Sequence, residues 1–106
     1  MTTEKPSDEL VLPELTTAQL DDTMLDQLVT DLENAATVLD VLFKGHATQR
    51  TDGKPVPIRQ AVSLLRAGES FGVQIRYIFE ETEWRDTLSR ASTGYRLVRM
   101  AIPDLG

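Results

Sequence analysis

Hydrophobic and polar positions change period three times along this chain. Leu25, Leu28, Val29, Leu32 and Ala36 recur at helical spacing, with Asp22, Asp26, Asp31 and Glu33 between them. That spacing predicts an amphipathic helix with an acidic wet side. Thr16 followed three residues later by Gln19 has the form of a capping box, so the helix is expected to start there, with Asp21 and Asp22 facing its positive end.

"TVLDVLFK" fits both periods: Leu39, Leu42 and Phe43 continue the helical stripe, whereas Leu39, Val41 and Phe43 alternate against Asp40 and Lys44. The β-branched content and the preceding Asn34 favour a strand over 37–44. "GHATQRTDGKPVP" then reads as a loop. Pro57 stands where a first helical residue belongs, Ile58, Ala61, Val62 and Leu65 follow at i, i+3, i+4 and i+7, and Gly68 is placed to end this second helix.

From Gly72 to Ile102 the period falls to two, predicting three consecutive strands. Two short turns set their register. "FEETEW" closes with Phe79 opposite Trp84, and "ASTGY" suits a three-residue loop, Ser92 to Gly94, with Gly94 in the left-handed position. Counting outward, Val73, Ile75, Tyr77 and Phe79 share a core face with Trp84, Asp86, Leu88 and Arg90 and with Arg96, Val98, Met100 and Ile102. The other face carries Gln74, Arg76 and Ile78, then Arg85, Thr87 and Ser89, then Tyr95, Leu97, Arg99 and Ala101.

The order α-β-α-β-β-β defines an α+β fold with two helices packed on one face of a small, mainly antiparallel sheet; ααβββ is the alternative if 37–44 continues the first helix. Residues 1–15 hold Pro6 and Pro13 among acids and are expected to form a mobile acidic tail before a single domain over 16–103. Within that tail, Leu10, Val11, Leu12 and Leu15 form an apolar patch able to dock on the domain.

Charge sharpens this picture. The chain of 106 residues has a formal net charge of −6. Residues 1–43 hold ten carboxylates against the single Lys5, and residues 44–106 hold ten cations against seven carboxylates, so the two halves attract. No cysteine is present, which excludes disulfides, thiolate metal sites and thiol nucleophiles. No secretory signal is read at the N-terminus and no run approaches a membrane span, so a cytoplasmic location is expected.

On the predicted outer face Arg76, Arg85 and Arg99 group with Tyr95 and Leu97. Three guanidiniums on one sheet face make an anion-accepting surface suited to an acidic or extended segment of a partner protein. The plainer reading is a solvated face whose arginine stems cover Ile78 and Leu97 and whose charge Glu83 neutralises. Asp86 breaks a local rule, since the register places it on the core side, where it needs a partner; Tyr77, Arg90 and Arg96 are the candidates. With Tyr77 and Trp84 it also outlines a possible small pocket for a ligand or for acid-base chemistry.

His46 lies alone in a loop, and "EETE" at 80–83 lacks the converging oxygens of a cation site, so no metal is expected. "TDGKPVP" has neither the second glycine nor the hydroxyl residue of a phosphate-binding loop. No cofactor is indicated, and nucleic acid is disfavoured by net charge and by a single aromatic on the outer face. The expectation is therefore a non-enzymatic accessory protein, an adaptor or assembly factor, with a homo-oligomer joined through the sheet edge as a structural alternative.

Overall fold

A computed structural model of the chain describes residues 15–44 and 56–103. Its elements are β1 (Leu15–Leu20), α1 (Asp22–Ala35), β2 (Thr37–Lys44), α2 (Ile58–Arg66), β3 (Gly72–Phe79), β4 (Thr82–Arg90) and β5 (Tyr95–Ile102). The five strands form one sheet in the order β1-β5-β4-β3-β2, with every neighbouring pair antiparallel. The α+β class and the two helices on one face follow the sequence expectation, and 37–44 is a strand. Residues 1–14 of the expected tail, with Leu10, Val11 and Leu12 of its docking patch, and most of the loop that includes His46 lie outside the described residues; Leu15, the last of that patch, is instead the exposed first residue of β1.

The first of the described residues differ from expectation. Thr16 and Gln19 do not cap a helix; they belong to β1, an edge strand on β5, and Gln19 donates from its side-chain amide to the Thr93 carbonyl at 2.7 Å. The cap is Asp21, whose carboxylate accepts from the Met24 amide at 2.8 Å. A side-chain oxygen at that position satisfies one of the orphan amides of the first turn. Leu20, Leu25, Val29 and Leu32 carry the core from the end of β1 into α1.

α1 then crosses the sheet from one edge to the other. α2 is bounded as its sequence indicates: Ile58, Ala61, Val62 and Leu65 are its buried stripe, and Gly68, at φ +80°, turns the chain out of it. Arg90 reaches from β4 to the end of α2, donating from Nη1 to the carbonyls of Leu65 at 3.1 Å and Arg66 at 2.9 Å. A cation there meets the negative end of the helix dipole.

The core is one cluster between the helices and the sheet, with Leu25, Leu65, Ile75 and Leu88 enclosed completely. Burial of each such side chain is worth roughly 1.5–3 kcal/mol relative to exposure. The attraction between the acidic first half and the basic second half is visible where the helices meet. Arg66 pairs with Asp22 at 3.1 Å and Asp26 at 2.8 Å, and Arg59 with Glu33 at 2.8 Å. The Arg66 guanidinium, followed by the Tyr95 hydroxyl, holds the Asp22 carboxyl below the usual carboxylate range.

Candidate functional site

Two turns decide which side chains share a face, and both differ from the sequence reading. Phe79 stands opposite Thr82, so Glu80 and Glu81 alone make the β3–β4 turn, both at positive φ (53° and 70°). Tyr77 therefore faces Trp84. This shift by two residues leaves the face assignment of β3 and β4 intact. The β4–β5 connection is different in kind: Arg90 pairs with Tyr95, Ala91 to Gly94 lie between them, and the Ala91 amide donates to the Gly94 carbonyl at 3.0 Å.

A shift by one residue turns a strand over. Tyr95, Leu97, Arg99 and Ala101 therefore join Trp84, Asp86 and Leu88 on the helix-covered face, and Arg96, Val98, Met100 and Ile102 lie on the bare one. The expected set of Arg76, Arg85, Arg99, Tyr95 and Leu97 divides. Arg76 and Arg85 remain together on the bare face, whereas Tyr95 and Leu97 are buried under the helices and Arg99 binds Asp86 on that same side.

The bare face is laid out in cross-strand rows. One row runs Asp40, Arg76, Arg85, Met100 and Leu15; the next runs Leu42, Gln74, Thr87, Val98 and Thr17; the third runs Lys44, Gly72, Ser89, Arg96 and Gln19. Arg76 and Arg85 are thus directly opposed. Arg76 donates to Glu83 at 2.8 Å, a bond that raises its already high pKa. Arg85 has no such partner, and its Nε is enclosed without an acceptor among the described residues.

Around these cations the face is more apolar than a solvated sheet face usually is. Leu42 is 45% exposed, Leu15 62% and Phe71 68%. A shallow hollow of about 300 Å³ lies between Leu42, Phe71, Gln74, Thr87 and Ser89, and a smaller one of about 80 Å³ adjoins it at Asp40, Arg76 and Arg85. Leu42 and Phe71 did not stand out as surface groups in the sequence because their surroundings depend on β2, and Arg96, expected on the core side as a candidate partner of Asp86, comes to the bare face through the reversal of β5.

Under α1, the sequence-predicted pair Tyr77 and Asp86 does meet. Asp86 is wholly buried; its Oδ1 accepts from the Tyr77 hydroxyl at 3.0 Å and from Arg99 Nε at 2.9 Å, and its Oδ2 accepts from Arg99 Nη2 at 2.8 Å. Neither Arg90, which binds α2, nor Arg96, on the opposite face, supplies the partner. Arg99 was missed because the predicted register put it outside. Burial and the adjacent carboxylate push the Tyr77 phenol well above its ordinary value, and the bond to Asp86 raises the Arg99 pKa further.

Tyr77 and Arg99 also form part of the wall of a cleft of about 600 Å³ between α1 and the sheet. Trp84 lies beside Tyr77 but outside that wall, half-buried, with its Nε1 enclosed and unpartnered among the described residues. Both oxygens of the buried Asp86 carboxylate are thus engaged, and two of its three bonds come from Arg99, which it holds in place. Among the described residues no group of three or more His, Asp or Glu side chains converges as a metal site, and no helix is long and apolar enough to cross a membrane. No family model, curated protein or solved structure matches this chain.

Proposed function

We propose that this chain is a non-enzymatic accessory protein, an adaptor or assembly factor, that holds an acidic, extended segment of a partner protein against its bare sheet face. The observation that carries this reading is the opposed pair Arg76 and Arg85, with Arg85 Nε enclosed and without an acceptor among the described residues, beside a hollow edged by Leu42 and Phe71. Like charges directly across a sheet repel, so a carboxylate seated between them would relieve a cost present in the free chain. The hollow lies one row away, within reach of an aliphatic side chain two residues along the same segment.

Arg85 and Arg96 add charge that Glu83 and Asp40, both beside Arg76, do not offset. The partner segment is therefore one that carries an acidic and an aliphatic residue two positions apart, so that both face the sheet. Such a segment gains little from area alone, so most of the affinity rests on Arg85 and on the filled hollow.

The test is a titration of the ¹⁵N-labelled full chain with a synthetic peptide repeating Glu-Ser-Leu-Ser, which sets Glu and Leu on one face, beside a peptide repeating Lys-Ser-Leu-Ser. Saturable shifts at Arg76, Arg85, Gln74 and Val98 with the acidic peptide only are expected. Shifts confined to the helices, or equal response to both peptides, overturn the proposal.

A further inference from the structure

Beyond that surface, we infer that the cleft between α1 and the sheet is a binding site for a small amphipathic carboxylate, whose head group pairs with the free edge of Arg99 and whose hydrocarbon body lies along α1. The geometry of Arg99 leads to this assignment. Asp86 takes the Nε and one Nη2 hydrogen, which is a side-on pairing. One hydrogen on each Nη forms the other two-pronged edge of the same planar group; neither Nη makes a hydrogen bond other than that to Asp86 among the described residues, although the Tyr77 hydroxyl lies close by.

That edge is accessible. The Arg99 side chain is 33% exposed although Asp86 is wholly buried, and Arg99 belongs to the cleft wall. The rest of the wall is mostly aliphatic and aromatic, including Leu20, Leu28, Leu32, Leu97 and Phe79. A volume of about 600 Å³ falls within the roughly 300–1,000 Å³ typical of small-molecule sites, which pair an apolar lining with a few placed polar groups.

The charge arrangement narrows the ligand further. One guanidinium with one free edge suits one carboxylate, since two parallel N–H donors match its two oxygens. Asp86 acts as a positioning residue, fixing the plane of the guanidinium and leaving the pair neutral, so a polyanion gains nothing over a monoanion. Asp31 at the rim repels a second negative group. An alkyl monocarboxylate meets each of these conditions.

The probe is decanoate, compared with 1-decanol, each kept below its aggregation limit and titrated into the ¹⁵N-labelled full chain by calorimetry and NMR. Decanoate is expected to bind at least tenfold more tightly than the alcohol and to shift Leu28, Leu97 and the Arg99 Nε–H. Arg99→Lys, which keeps the charge but loses the paired donors, should bring decanoate to the level of the alcohol. Met24→Trp fills the cleft from an exposed helix position and should abolish binding while the spectrum stays folded. Equal binding of acid and alcohol, shifts outside the cleft, binding undisturbed by Met24→Trp, or no saturable binding would each overturn the inference.

Discussion

Arg99 on β5 grips Asp86 on the neighbouring β4 through two hydrogen bonds of 2.9 and 2.8 Å beneath α1, and Asp86 is wholly buried where Arg99 is not. Removing one member of such a pair leaves the other uncompensated. Arg99→Met should lower stability by about 3–5 kcal/mol, while the double variant Asp86→Leu with Arg99→Met should lose clearly less than the sum of the single changes. Urea denaturation of the four chains of this cycle measures the coupling; additive losses would show that the pair does not act as a unit.

Glu80 and Glu81 form the β3–β4 turn with φ of 53° and 70°. Left-handed backbone at both central residues is the geometry that Asn-Gly adopts readily and glutamate does not. Replacing both, Glu80→Asn with Glu81→Gly, should raise stability by about 1 kcal/mol. In thermal unfolding that corresponds to a midpoint higher by roughly 4–8 °C. An unchanged or lowered midpoint contradicts the turn geometry.

Asp22 accepts from Arg66 at 3.1 Å and from the Tyr95 hydroxyl at 3.0 Å, and its pKa lies below the unfolded value of 3.8. A depressed carboxyl contributes stability that is fully present above 3.8 and is lost as pH falls through the lower folded value. The difference in unfolding midpoint between the wild type and Asp22→Asn should therefore be constant near neutrality and shrink in acid below 3.8. High salt should reduce it as well, because the pair is exposed.

The period changes in the sequence were enough for the α+β class, for α2 and its Gly68 exit, and for the strand at 37–44. They were also enough to bring Tyr77 and Asp86 to one face, since β3 and β4 alternate cleanly. β5 was not legible in this way. Its two parities are both apolar, with Leu97 and Tyr95 on one and Val98, Met100 and Ile102 on the other, so only the turn could fix its facing.

That turn gave the right conformation at Gly94, φ +77°, but one residue more in the loop. Nothing local reveals the reason. A Cβ on Gly94 would collide with the Leu20 carbonyl oxygen, so the loop packs against the end of β1, a strand whose "LTTAQL" carries no hydrophobic alternation to announce it. Edge strands of this kind are specified by their neighbour rather than by their own pattern. The reversal moved Arg99 inward and Val98 and Met100 outward, which is why the cleft and the apolar part of the bare face emerge only from the structure.

In the proposed function, Arg85 is the anchor of an acidic segment on the bare face. The direct measurement is the affinity of the full chain for the Glu/Leu peptide when Arg85→Glu is set beside Arg59→Glu, a charge reversal of equal size on the helix-covered side. A loss of tenfold or more with Arg85→Glu and little change with Arg59→Glu is predicted. Equal effects of the two reversals, or none from Arg85→Glu, would contradict it.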